Sequence, residues 1–162
     1  MMTLRCTQRL LARLPATLDA DVTPPTTTLG DWYASPLYIG PVRWVLCASE
    51  RSLLPVILPL KPAKSLPDRL PDAAGLLLDA LGIAGATIER EWAAMSPCRI
   101  GRTQNRAVVG SVNELVQQAR AYLQYPPAGD LVTIMLLLSE MPCGMLGHDA
   151  PDRRTRSLLG AA

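Results

Sequence analysis

Small, amide, hydroxyl and guanidinium side chains crowd one stretch of this chain, from Gly101 through Arg102, Thr103, Gln104, Asn105 and Arg106 to Gly110, Ser111, Val112, Asn113 and Glu114. Ser111-Val112-Asn113-Glu114 has the form of a capping box, which predicts a helix opening at Ser111. The free N–H groups and positive dipole end of such a helix stabilise an anion, and a phosphate is the common case. Arg102 and Arg106 are the residue type that clamps a phosphate in a bidentate way, while Thr103, Asn105, Ser111 and Asn113 would fix its orientation. The same residues also have a purely structural reading. Ser111 and Glu114 would then only cap the helix, Gly110 would permit a tight turn, and the arginines would pair with surface carboxylates. The stretch is neither a Walker loop nor a dinucleotide fingerprint.

A second cluster joins Asp31, Trp32 and Tyr33 to Glu50 and Arg51. Glu50 has the chemistry of a general acid or base, but it falls in a predicted hairpin turn with no nucleophile beside it. The chain has no G-x-S-x-G elbow and no H-E-x-x-H pair, and His148 is its one histidine. The commonest hydrolase and metalloprotease layouts are therefore missing, and no catalytic residue is assigned. Cys6, Cys47, Cys98 and Cys143 are far apart with no C-x-x-C pair, so they are expected to be reduced, small hydrophobic side chains. A zinc site built from them and His148 lacks paired ligand spacing, and no metal or cofactor is expected. Arg153, Arg154 and Arg156 form a third feature, a basic run read as part of a mobile tail over 148–162.

These groups must be carried by a folded core. Of 162 residues, 49% are apolar and 19% charged, the balance of one globular domain. With no Phe, the core is expected to be aliphatic, with Trp32, Trp44 and Trp92 as its largest units. A net charge of +2 is too weak to imply nucleic acid or an anionic membrane, so any basic patch must be local. The apolar run Leu131 to Leu138 is far too short to span a bilayer, and no membrane role is expected. Arg5, Arg9 and Arg13 precede any acid and resemble an import signal, but a strand over Thr3 to Cys6 and a helix capped by Thr7 is the favoured reading.

Downstream, Pro15 to Gly30 reads as a surface loop. An antiparallel meander follows, with strands at Leu37 to Ile39, Val42 to Cys47 and Leu53 to Leu60. Pro55 and Pro59 put the last of these at a sheet edge. Ser65 opens a helix whose buried stripe is Leu66, Leu70, Ala74, Leu77, Leu78 and Leu81, and a second helix runs from about Thr87 to Met95. Cys98 to Thr103 reads as a strand, and the helix from Ser111 buries Val112, Leu115, Val116, Ala119 and Leu123. Asp130 caps a last helix over Leu131 to Glu140. The fold class predicted is α+β, a small, largely antiparallel sheet packed by four or five helices, with residues 1–147 as one domain.

Four separated blocks, Leu4 to Thr7, Leu29 to Ala34, Glu50 to Val56 and Gly101 to Glu114, resemble a family of small bacterial proteins known only as a domain of unknown function. The resemblance extends to about Gly147 and implies a single cytoplasmic domain. It supplies no reaction and no catalytic residue. Its members' association with mobile or plasmid-borne genes implies an accessory role such as a conflict or toxin–antitoxin function. The leading expectation is a non-enzymatic binding module for a phosphate-bearing ligand, a nucleotide or a nucleic acid, at the 102–113 helix start. The alternative is a protein-interaction module, antitoxin-like or regulatory, using the strand edge near Leu53 to Leu60 and the apolar helix near Leu131 to Leu138. An enzyme using Glu50 or Asp31 ranks third.

Overall fold

The computed structural model describes residues 1–15, 18, 23–127 and 129–160. Five strands form one sheet: β1 (Met2–Cys6), β2 (Trp32–Ile39), β3 (Val42–Ser49), β4 (Pro55–Pro59) and β5 (Cys98–Arg102), in the spatial order β4-β3-β2-β1-β5. The β2-β3-β4 meander is antiparallel, with Pro36 facing Val45 and Leu46 facing Ile57. The sequence pattern does not announce the other half of the sheet, where β1 is parallel to both neighbours. Leu4 pairs with Trp32 on one side and with Ile100 on the other. Such parallel pairs need long crossovers, here the chain between β1 and β2 and the helices between β4 and β5.

Register sorts the sheet into two faces, because side chains alternate along a strand. Leu4, Cys6, Trp32, Ala34, Cys47, Val45, Val56, Leu58, Cys98 and Ile100 share one face. It carries α1 (Gln8–Leu11) and α2 (Leu66–Ala80). The expected α2 stripe is confirmed, since Leu66, Leu70, Ala74, Leu77, Leu78 and Leu81 are all buried. Next to α2 lies α3 (Gly85–Ala94). The opposite face, with Tyr33 and Leu37, is covered by α4 (Arg106–Gln124), which buries Val108, Val112, Leu115, Val116 and Ala119. Between α2 and α4, α5 (Leu131–Ser139) closes the β4 edge. Trp32 is fully buried, whereas Trp92 is half exposed and donates its Nε1–H to Asp72 at 2.8 Å.

Three expectations are corrected here. The segment 148–162 is not a mobile tail through its described length, because Pro151–Leu158 forms helix α6. Proline at its first position suits a helix start, and Thr155, fully buried, donates to Ser52 Oγ at 2.9 Å. Arg154 reaches Leu146 O and Asp149, and Arg156 reaches Leu81 O and Asp152, so the basic run is tied to the domain. The β4 edge is not open either: Ile57 N–H donates to Met135 Sδ at 3.2 Å, and the apolar α5 is consumed in covering the strand. The two surfaces of the interaction reading thus bury one another. Finally, Ser65 does not cap α2. Its hydroxyl donates to Pro62 O and accepts from Arg69 Nε.

Of the loop expected over Pro15 to Gly30, residues 16, 17 and 19–22 lie outside the described residues. The remainder from Thr27 is not a solvated loop but a fixed turn with Thr27 and Leu29 buried.

Candidate anion-binding site

Because β1, β2 and β5 point the same way, their carboxyl ends open at one end of the sheet, the place where open α/β sheets hold ligands. At that end Arg102 pairs in register with Cys6, and Arg5 Nη1 donates to Arg102 O at 3.1 Å. The chain then turns through Thr103 and Gln104 into α4. Asn105 N–H donates to Tyr33 Oη at 3.1 Å, and the Asn105 side chain accepts from Ala107 and Val108 N–H at 2.9 and 3.3 Å. Asn105 is therefore the N-cap, and α4 starts five residues before the expected Ser111.

The consequences for the predicted site residues are direct. Arg102, Asn105 and Arg106 sit together at the β5–α4 junction, exposed, with Thr103 half-buried between them. Ser111 and Asn113 do not join them: both lie inside α4, more than a turn beyond its start, and Ser111 Oγ donates to Ala107 O at 3.0 Å. Intrinsic capping preference favoured Ser111, but the strand ends at Arg102 and packing of Val108 extends the helix backwards to the first residue able to cap. No acidic residue occupies the first turn of α4.

Of the second cluster, Tyr33 reaches the α4 start through its hydroxyl, whereas Asp31, Glu50 and Arg51 hold the opposite end of the sheet. Asp31 is buried, its Oδ1 accepting from Thr3 N–H at 2.8 Å and its Oδ2 from Arg5 Nε at 3.1 Å. Glu50 Oε1 accepts from Asp31 N–H at 2.9 Å and lies over Gly30, whose φ of +82° and lack of Cβ permit the approach. Arg51 Nη1 donates to the carbonyls of Thr27 and Thr28. Trp32 belongs to the core. Sequence reading missed Glu91, a buried carboxylate on α3 that accepts from Thr28 and Leu29 N–H at 2.9 Å each.

Burial raises all four cysteine thiols above their ordinary value. Burial, with a contribution from Cys98, pushes the Cys6 thiol up to about 12. Burial likewise lifts Cys98 to about 12 and Cys47 well above the ordinary thiol value. Cys143, raised by burial and then by Glu114, lies beside α4 and not with the other three. Among the described residues no three His, Cys, Asp or Glu side chains gather around a point that would suit a metal.

Sequence reading also missed a set of cations scattered along the chain that the topology brings to the carboxyl end. Arg43, beside the β2–β3 turn, and Lys61, just past β4, line one open depression of about 340 Å³, and Leu60 N–H donates to Arg43 O. Lys64 meets Leu14, Pro15 and Ile100 across a small crevice, which places it next to α1 and β5. Arg9 is in α1, directly after β1. Arg9, Arg43, Lys61, Lys64, Arg102 and Arg106 are all exposed, and among the described residues none forms an ion pair. Asp68, exposed in the first turn of α2, is an acid at this end. Only strand register could have grouped these residues, since the longest sequence gap between them is nearly 40 positions.

The fold and this rim define an α+β domain with a mixed sheet, fixed by buried acids at one end and basic at the other. The chain belongs to the family described as a domain of unknown function (DUF6933), whose model matches residues 3–154 and so includes the start of α6. No curated protein matches the sequence.

Proposed function

We propose that this protein is a non-enzymatic binding module that holds a phosphate-bearing ligand where β5 passes into α4. The observation that carries the reading is the pair Arg102 and Arg106, exposed at the carboxyl ends of parallel strands and unpaired with any described carboxylate. The positive end of the 19-residue α4 adds to their field, and no acid in its first turn opposes an incoming anion. Thr103 and Gln104 supply neutral donors beside the guanidinium groups. A binding role is preferred to catalysis because, of the two acids considered for chemistry, Asp31 gives both oxygens to Thr3 N–H and Arg5 and Glu50 gives Oε1 to Asp31 N–H at the far end of the sheet.

Thermal unfolding against inorganic pyrophosphate, sulfate and nucleotides tests this. A ligand specific for the folded state adds about 2.7 kcal/mol at a hundredfold excess over its Kd, an easily resolved shift. The expected result is stabilisation in the native chain that disappears in Arg102→Ala/Arg106→Ala, with the unliganded melting temperature retained. Equal stabilisation of native and doubly substituted chains would reject the site, and no stabilisation by any member of the panel would reject the phosphate reading.

A further inference from the structure

Resting on that reading, we infer that the ligand is the sugar–phosphate backbone of a nucleic-acid duplex, lying along the whole basic rim. The cations do not converge on one point. Arg43 and Lys61 flank the β3–β4 side, while Arg102 and Arg106 belong to β5 and α4. From β4 to β5 is four strand spacings, roughly 19 Å at about 4.8 Å each. Lys64 and Arg9 lie between, because the chain after β4 crosses to the crevice it shares with Leu14 and Ile100. A single nucleotide would engage one end of this row and leave the other cations without a counter-charge. A polymer with phosphates at regular spacing engages them all and releases a condensed counterion for each phosphate neutralised.

The chemistry of the rim also separates duplex from single strand. Single-strand binders line their channels with exposed aromatic rings on which bases stack. The aromatics at the Arg43 end of this rim are both half-buried and packed against the core: Tyr38, with the Arg43 guanidinium 5.6 Å from its ring centroid, and Trp44, in register between Leu37 and Pro59, so neither stands out as an open stacking ring. The well-exposed rings, Trp92 on α3 and Tyr125 past the end of α4, lie off the rim. Contacts from Arg and Lys to phosphates position a duplex without reading its sequence. A net charge of only +2 does not oppose this, since acids such as Asp31 and Glu91 are buried at the other end of the sheet, while the exposed Asp68 offsets one of the six rim cations.

The test is fluorescence anisotropy of labelled DNA and RNA duplexes of about 16 base pairs, of two unrelated sequences, with the matching single strands and a series of salt concentrations. Expected are similar affinities for both sequences, weaker binding of single strands, and a log–log salt slope near −5 if all six cations meet phosphate. Arg43→Ala/Lys61→Ala should reduce that slope by about two. The same pair should leave stabilisation by pyrophosphate at Arg102 and Arg106 unchanged, and Arg90→Ala, an exposed α3 position off the rim, should leave the slope unchanged. Pyrophosphate binding without duplex binding, or a duplex slope indifferent to Arg43→Ala/Lys61→Ala, overturns the inference but leaves the proposed function standing. Preference for single strands overturns the duplex assignment, and failure of both probes overturns both readings. A stronger response to RNA than to DNA, or the reverse, identifies the source of the backbone.

Discussion

The two ends of the sheet treat charge in opposite ways. At the end where β2 begins, Asp31, Glu50 and Glu91 are turned inward and satisfied by backbone N–H groups and Arg5, and Arg51 is spent on carbonyls. At the end where β1, β2 and β5 finish, six cations face solvent without ion-pair partners among the described residues. Buried charge is tolerated only when its donors and acceptors are matched, so the first end is a structural clamp. Exposed charge costs little stability and remains available, so the second end is where recognition can be added. Substitutions should therefore separate cleanly: stability loss at the clamp, ligand loss at the rim.

The largest effect is expected at Arg5. Arg5→Ala leaves the buried Asp31 carboxylate without its cation, a change that costs about 3–5 kcal/mol. Glu91→Ala follows at about 3 kcal/mol, because the buried Leu29 N–H and the part-buried Thr28 N–H lose charge-assisted acceptors. Urea unfolding midpoints measure both. If Arg5→Ala unfolded at the same midpoint as the native chain, the distinction between clamp and rim would collapse. Arg102→Ala/Arg106→Ala should change stability by no more than about 0.5 kcal/mol, as exposed positions without partners do.

Alkaline pH should weaken the face of the sheet that both ends share. Cys6 and Cys98 have thiols raised to about 12, while in the unfolded chain they ionise near 9. A raised folded pKa means the unfolded state loses its proton first, so the contribution is fully present below pH 9 and is lost as pH rises toward 12. By pH 10 each thiol should cost on the order of 1 kcal/mol. Comparing unfolding midpoints at pH 8 and pH 10 in the native chain and in Cys98→Ala isolates one thiol. The alkaline loss should shrink in the variant, and an unchanged loss would assign it to other groups.

Much of this architecture is legible in local pattern. The α2 stripe, the meander, the Pro-marked edge and the Asp130 cap each follow from spacing of a few residues, and the structure has them all. Features that depend on distant pairing were not visible. Parallel β1 flanked by β2 and β5 leaves no local mark, because a central strand reads only as a short apolar run. The α6 helix has polar composition, and its attachment depends on distant partners, the buried Thr155 hydroxyl meeting Ser52 from 103 positions away and Arg156 reaching Leu81 O. For the same reason Arg102 and Arg106 were recognisable as a sequence cluster, while Arg9, Arg43, Lys61 and Lys64 were not.

The smallest expected effect tests where the α4 dipole begins. Asn105 accepts from two first-turn N–H groups, so Asn105→Ala should cost about 1 kcal/mol. Ser111 lies a turn and a half inside the helix and its hydroxyl only returns a hydrogen bond to Ala107 O, so Ser111→Ala should stay within about 0.5 kcal/mol. The order of these two values matters more than either size. If Ser111→Ala were the more damaging, the helix would open at Ser111 after all, and Arg106 would leave the helix start for the preceding loop. Its guanidinium would then lose the fixed relation to Arg102 that makes the carboxyl end a rim rather than a scatter of surface charge.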